Sequence, residues 1–477
     1  MKRFWLVLLS LGLIMAFSAS AFAVDVKFSG SYFAAGLYLD KANLAKSNND
    51  NQVASAGATA FYFQKLQLKT EFVAAPGVSL VTRANIMERV WGGPRSGAGA
   101  AGYGALDSVG GSAATRAENE NIGFDLAYIN YASPIGQFLV GYQADSVWGT
   151  TFANSETARG KITYVMPIGN WAVGAAVTKY ADNSYTQTNN AAFPVDGDSD
   201  KYSVFVRYAG KSVEGGLLVN YYNDATTGTV PAVTYKGQYW NVDPYVKAKV
   251  GPVAIQAELS YFVGNYRKYY DGSVGGPNGS DTVGINSLSG WIDAIATFGP
   301  VYVGGTFAYA QGPSTNTDQV TNRANGGRDW SPTLIMFNYD RSYWIGNLAG
   351  NANSAMGLSG TSEVGAFSNA WLYQLKGGVK PTDKLDIGLA VTYAYADNLN
   401  NANNGTAYYQ NQTGINDRGL GWEIDVTGSY KITNNLSYLL GFGYLFTGNY
   451  FKGDTATNPN AEVNNDYIVL NKLTFTF

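Results

Sequence analysis

The 477-residue chain contains no cysteine and no histidine. The absence of cysteine excludes disulfides, thiolate metal sites, cysteine nucleophiles and haem attached through cysteine. The absence of histidine excludes a Ser-His-Asp triad and histidine ligation of zinc or haem iron. The sequence therefore predicts no catalytic residue, no metal site and no cofactor, and an enzyme is the least favoured class of protein.

Charge and long apolar runs are also scarce. Charged residues make up 14% of the chain and the formal net charge is −3, which gives no indication of nucleic-acid binding. Beyond the N-terminal region, no segment is long and apolar enough to predict a membrane-spanning helix. Apolar residues are nevertheless plentiful at 46%, and they are scattered singly, as alternating β-strands require.

The one long apolar run has the form of a secretory signal. Lys2 and Arg3 precede the apolar residues 4–17, and Ala21-Phe22-Ala23 matches a small-x-small cleavage site. The alternative is a membrane anchor helix, which is disfavoured because the run is short for a bilayer span. We therefore expect residues 1–23 to be a cleaved signal peptide and residues 24–477 to form a single domain.

From about Val24 to Phe477 the chain alternates apolar and polar residues in short runs. Residues 60–73 show this pattern best. One face of that run is mostly apolar and the other is charged or amide-bearing: Leu66, Leu68, Thr70 and Phe72 against Lys65, Gln67, Lys69 and Glu71. In a soluble sandwich the apolar face would point to a core, whereas a barrel in lipid has apolar residues outside and polar residues inside.

Turn residues give the number of strands. Eight tight turns rich in Gly, Pro, Asn and Asp alternate with nine longer polar stretches. The turns fall at 75–77, 134–136, 167–170, 210–212, 251–252, 299–300, 381–383 and 433–435. The longer stretches fall near 40–58, 92–121, 148–158, 183–199, 224–237, 267–286, 312–366, 398–418 and 452–464.

Seventeen connections predict eighteen strands, or sixteen if one segment has been divided too finely. Short turns on one side and long loops on the other are typical of a bacterial outer-membrane barrel, with the turns in the periplasm. The predicted fold is all-β: a transmembrane, antiparallel, up-and-down β-barrel. A large soluble protein such as a propeller is disfavoured because no blade motif or fixed repeat occurs.

The C-terminus, Leu473-Thr-Phe-Thr-Phe477, resembles the last strand of bacterial outer-membrane proteins, which their barrel-assembly machinery reads. Together with the alternation, it gives the mature chain a resemblance to outer-membrane porins. That resemblance implies an outer-membrane location, contact with lipid and, as in many porins, a homotrimer. It implies passive diffusion of small hydrophilic solutes or ions through a water-filled channel.

Two alternatives stay open. Eighteen strands are similar to substrate-specific channels and alginate exporters, and the run from Arg83 to Trp91 has a short similarity to alginate-export proteins. The second alternative is the barrel sheath around a separate multihaem cytochrome in an electron conduit. This chain has no cysteine or histidine of its own with which to bind haem.

Alternation predicts which charged residues line the interior. Basic residues predominate in the first half and acidic residues in the second, which resembles the facing basic and acidic walls of porin constrictions. The alternative is that these charges solvate the lumen without meeting. The predicted pore-lining residues are Lys65, Lys69, Arg83, Arg89, Arg159, Lys161, Arg207, Glu258, Asp293, Asp386, Glu423 and Asp425.

Three loops carry further signals. The Gly- and Ala-rich stretch 92–121 is a candidate for an inward-folded constriction, although long glycine-rich loops are usually mobile. The stretch 312–366 contains a strand-like run, 333–340, and Trp330 and Trp344, so we expect it to pack on the lumen wall or on a neighbouring subunit. Residues 196–200 have calcium-loop spacing but lack the other ligands, which favours a solvated acidic turn.

Overall fold

The computed structural model describes residues 24–41, 44, 58–91, 122–182, 198–225, 235–269, 280–314, 316, 318–339, 341, 367–398, 417–451 and 464–477. The predicted signal peptide, the stretch 92–121 and Trp344 lie outside the described residues, so those expectations stay predictions. The described part consists mostly of β-strands, and within it no helix is long and apolar enough to cross a bilayer.

Eighteen long strands build the structure. They are β1 Asp25–Leu39, β2 Thr59–Ala75, β3 Val78–Val90, β4 Ile122–Ser133, β5 Gly136–Asp145, β6 Thr157–Ile168, β7 Trp171–Ala181, β8 Ser199–Ala209, β9 Val213–Asp224, β10 Tyr235–Val250, β11 Val253–Tyr269, β12 Thr282–Phe298, β13 Val301–Ala310, β14 Ala370–Thr382, β15 Leu385–Ala396, β16 Gly419–Lys431, β17 Leu436–Thr447 and β18 Asp466–Thr476.

The strands form one closed antiparallel barrel. Each strand pairs with its neighbours in sequence, and β1 also pairs with β18, with Ser31 opposite Thr476. Closure pairs the edge strands, so no row of free backbone groups faces lipid. The prediction of an up-and-down barrel with eighteen strands is confirmed, and the count of sixteen is not realised.

The eight predicted tight turns join β2 to β3, β4 to β5 and so on to β16 and β17, and all lie at one end of the barrel. Glycine is required at some of them because the backbone is left-handed: φ is 80° at Gly77 and 59° at Gly251. The long connections lie at the other end. This asymmetry agrees with the prediction from the sequence.

The two faces of the wall differ as expected for a barrel in lipid. In β8, Tyr202 and Val204 are 45% and 58% exposed, whereas Lys201 and Ser203 are 4% and 7% exposed. The apolar side chains therefore point away from the barrel and the polar ones into it, which is the reverse of a soluble sandwich. Outward aromatic side chains cluster near both ends of the strands, as in interfacial girdles.

In the part of the chain that the structure describes, two of the long connections fold into the barrel. We call residues 146–156, between β5 and β6, and residues 318–341, between β13 and β14, the inner segments. Their large apolar side chains form a core inside the lumen with residues of β1 and β12–β18. The described part of the stretch 312–366 therefore packs on the lumen wall, one of the two arrangements expected. The segment 146–156, which is the third long connection in chain order and a short one, is the other that folds inward.

Candidate functional site in the barrel interior

The inner segment 318–341 is fixed to the wall by hydrogen bonds to polar side chains. The carboxylate of Glu423 accepts the backbone N–H groups of Ile335 at 2.6 Å and Met336 at 2.8 Å. Gln374 Nε2 donates to the carbonyl oxygen of Pro332 at 2.8 Å. These bonds take the place of a strand's ladder, and residues 333–337 of the run predicted as strand-like form bends and a turn.

The inner segment 146–156 is held by a second carboxylate. Both the backbone N–H and the hydroxyl of Thr150 donate to Glu258 Oε2, the former at 2.8 Å. Trp291 Nε1 in turn donates to the Thr150 hydroxyl oxygen at 3.1 Å, and Trp148 Nε1 donates to the carbonyl oxygen of Asp243 at 2.8 Å. Glu258 therefore positions a loop rather than facing open water.

The two inner segments also contact each other. Gly327 N donates to the carbonyl oxygen of Phe152 at 2.5 Å, and Arg328 N donates to the Ser155 hydroxyl at 3.1 Å. The rings of Phe152 and Trp330 meet edge to face with centroids 5.0 Å apart. The segments thus form one unit that narrows the lumen from inside.

Eleven of the twelve predicted lining residues lie on the inner face of the wall, opposite in alternation to the exposed apolar side chains. They are Lys65, Lys69, Arg83, Arg159, Lys161, Arg207, Glu258, Asp293, Asp386, Glu423 and Asp425. The alternation shows only that these side chains point toward the barrel interior. That they line a conducting path stays a prediction.

Arg89 lies on the other face. A β-bulge at Met87, where φ is 54°, places Arg89 directly opposite Gln64. Residues directly opposite each other in an antiparallel pair share a face. Gln64 accepts a hydrogen bond from Trp91, and Trp91 stacks on Tyr62, which is 54% exposed on the outside. The sequence prediction for Arg89 is corrected because strict alternation does not hold across a bulge.

Most basic side chains in the first half of the barrel pair with carboxylates nearby. Arg83 bonds Asp125 at 2.6 Å and also contacts Glu156. Lys65 lies 3.1 Å from Glu88. These pairs neutralise the basic residues where they stand.

The acidic residues of the second half are also partnered. Asp293 pairs with Lys376, and Asp386 lies 3.5 Å from Lys380. Glu258 and Glu423 are bonded to the inner segments. Where the structure describes both partners, these charges pair with neighbours on the same part of the wall, and the facing basic and acidic walls considered from the sequence stay a prediction.

A buried arginine was missed by the sequence reasoning. Arg341, in the inner segment, has no solvent exposure. Burial lowers the pKa of its guanidinium to about 10, while the nearby carboxylates of Asp466 and Glu423 favour the charged form. The side chain is therefore cationic at neutral pH and joins the inner segment electrostatically to β16 and β18. Its position in a loop gave no periodic signal.

A cavity of about 550 Å³ remains between the inner segments and the wall formed by β5–β11. Its lining includes Arg159 and Lys161, which were predicted, and Lys201, Arg323 and Arg328, which were not. Lys201 alternates with Tyr202 and Val204 and was detectable by the same rule. Arg323 and Arg328 lie in a loop, where only the tertiary fold determines their position.

The calcium-like spacing at residues 196–200 is described only in part. Asp198 and Asp200 both pair with Lys179, the latter at 3.2 Å. Throughout the described residues, no group of three or more potential ligands is arranged to hold a metal ion. The two described carboxylates are thus paired with a lysine.

Solved structures similar to this chain include the outer membrane channel DcaP of Acinetobacter baumannii, at 12% identity over 96% of this chain and 99% of that one, with a TM-score of 0.42. OccK8 (OprE) of Pseudomonas aeruginosa is 11% identical over 94% and 98%, with a TM-score of 0.47. The outer membrane protein opdK of Pseudomonas aeruginosa is 9% identical over 94% and 98%, with a TM-score of 0.48. No family model and no curated protein matches the chain.

The closed barrel, its apolar exterior and its charged interior define the class of protein. Eighteen antiparallel strands with short turns at one end and long loops at the other form a bacterial outer-membrane β-barrel of the porin type. The chain crosses the outer membrane with each strand and contacts its lipid through the apolar outer face.

Proposed function

We propose that the protein is a passive channel that lets small hydrophilic solutes or ions cross the outer membrane. The observation that carries this proposal is the polar cavity inside a closed barrel of eighteen strands. Barrels of sixteen to eighteen strands enclose an aqueous lumen, whereas eight-stranded barrels are filled by side chains. The inner segments narrow this lumen without filling it.

Planar-bilayer conductance of the refolded barrel under a salt gradient tests the proposal. We expect discrete single-channel steps and a reversal potential that reports the ion preference. Bilayers exposed to the same detergent without protein are the control. A correctly folded barrel that inserts but never conducts would contradict the proposal.

A substrate-specific channel is the second candidate. The observation that favours it is the pair of inner segments, because they narrow the lumen and leave a cavity of about 550 Å³ between themselves and the wall. Permeation of solutes of equal size and different charge separates the two candidates. A general channel passes them at similar rates, whereas a specific channel favours one.

The same segments count against a sheath around a cytochrome. The lumen already contains an apolar core that includes Phe152, Trp330, Phe337 and Phe367. The remaining cavity of about 550 Å³ is of small-molecule size. A multihaem protein needs far more space than this cavity offers.

Two partners belong to the proposal. We infer that β18, which ends beside Phe477 and pairs with β1, is recognised by the barrel-assembly machinery, as its resemblance to other terminal strands implies. We also infer a homotrimer, the common state of porins. Crosslinking in the outer membrane followed by mass determination tests the trimer.

A further inference from the structure

The cavity carries more positive than negative charge. Its lining contributes five basic and three acidic side chains. The basic ones are Arg159, Lys161, Lys201, Arg323 and Arg328, and the acidic ones are Asp145, Asp243 and Glu258. A confined space with low-dielectric walls and an excess of one sign of charge attracts ions of the opposite sign.

Each of the three carboxylates already forms an ion pair or a hydrogen bond with a neighbouring side chain. Asp145 bonds Lys201 at 2.6 Å and Lys161 at 3.1 Å. Asp243 accepts a hydrogen bond from an asparagine side chain at 2.9 Å, and Glu258 accepts two from a threonine of the inner segment. Among the described residues, none of the three forms an ion pair with Arg159.

Arg159 is the basic residue of the wall that lacks a counter-charge. Its guanidinium lies over the ring of Tyr180, 4.9 Å from the centroid. Its Nε is buried and has no hydrogen-bond partner, and among the residues that the structure describes no carboxylate forms an ion pair with it. The side chain as a whole is half-buried, and a partly desolvated cation without a counter-charge is stabilised by a ligand anion that supplies the missing partner.

Arg323 and Arg328 line the same cavity from the inner segment. An anion that bonds Arg159 therefore lies between the barrel wall and the loop. Arginine presents a planar fork of donors that matches a carboxylate. The volume of about 550 Å³ lies within the range of small-molecule sites.

We propose that this cavity is a binding site for a small organic carboxylate, held between Arg159 of the wall and Arg323 and Arg328 of the inner segment. The inference rests on the proposed channel function, to which it adds the class of solute. The carboxylate replaces the missing counter-charge, and the solute body occupies the space beside the aromatic side chains Tyr180, Phe205 and Tyr222.

Gluconate and glucose are matched probes because they are similar in size and differ in the carboxylate. Calorimetric titration of the solubilised barrel should show gluconate binding that weakens as salt rises, and no comparable binding of glucose. Arg159→Gln and Arg328→Gln should each weaken gluconate binding about tenfold or more, because each removes a charged hydrogen bond. Equal binding of gluconate and glucose, or unchanged binding in both variants, would overturn the site.

Arg207→Gln is the matched control. Arg207 is a basic side chain of the inner face that is paired with Glu214 and lies outside the cavity lining. Gluconate binding should be unchanged in this variant. A loss equal to that of Arg159→Gln would show that binding depends on the total charge of the lumen and would refute the site.

Conductance measured on the same preparations separates the two proposals. Gluconate binding without any ion conductance refutes the channel and supports the site. Conductance with neither gluconate binding nor a current block by gluconate supports the channel and refutes the site.

Discussion

The backbone of Met87 decides the face of every residue that follows it in β3. Its left-handed φ of 54° places two residues of β3 against one of β2, so Glu88 and not Arg89 meets Lys65 on the inner face. A non-glycine residue in this region costs about 1–3 kcal/mol, which the surrounding sheet must offset.

The absence of native cysteine makes the bulge testable by single-cysteine labelling. We expect a charged thiol reagent to change the single-channel current of Glu88→Cys and to leave that of Arg89→Cys unchanged, because only the first side chain faces the lumen. Current recorded before and after the reagent is the measurement. The reverse result would restore strict alternation and place Arg89 inside.

Glu423 is a second residue whose role is local and structural. Its carboxylate is fully buried and satisfies two backbone donors of the inner segment. In Glu423→Ala these donors are left unsatisfied at a cost of about 1–3 kcal/mol each. We expect the segment to loosen and the single-channel conductance to become larger and noisier.

Glu214→Ala is the control for this change. Glu214 is a carboxylate near the short-turn end that pairs with Arg207, and it bonds none of the described residues of the inner segments. Its loss should alter ion preference modestly and leave current noise unchanged. Quiet, wild-type conductance of Glu423→Ala would show that this anchor does not hold the segment.

At the level of elements, the inner segments meet where the backbone of Gly327 lies against Asn154. A Cβ at Gly327 would overlap the backbone of Asn154, which cannot move aside as a flexible side chain does. The contact also includes the hydrogen bond from Gly327 N to Phe152 O. Glycine is therefore required here for close approach rather than for a special φ.

We expect Gly327→Ala to push the two segments apart and to increase single-channel conductance while the barrel still folds. Gly160→Ala in β6 is the matched control, since a Cβ there meets no atom within 4 Å. Conductance and the heat-induced unfolding of both variants are the measurements. Equal conductance in the two variants would mean that the contact does not set the width of the lumen.

At the level of the whole molecule, the closed barrel places all eight short turns at one end. A seven-residue protease site inserted at Gly251-Pro252 should be protected in intact cells and cleaved after the outer membrane is permeabilised. The same site inserted within 399–416, between β15 and β16, should be cleaved in intact cells. Cleavage of the turn site from outside would reverse the orientation.

The sequence by itself determined the barrel. Strand alternation and turn residues act over two to four neighbouring positions, so they are visible without any knowledge of distant contacts. They predicted eighteen strands, all eight turns and the inner face of residues such as Arg159, Lys161 and Glu258. They failed at Arg89, where one bulged residue reverses the alternation.

Only the tertiary structure decided what the lumen contains. The contacts of Thr150 with Glu258 and of Ile335 with Glu423 join residues about 90 to 110 positions apart, and no local pattern records such pairs. The alternation also cannot tell whether a charge is paired, because ion pairs such as Asp145 with Lys201 depend on strand register and side-chain reach. The two-residue period of a strand determines which side chains face the lumen, whereas packing between distant segments determines the shape of the space inside the barrel.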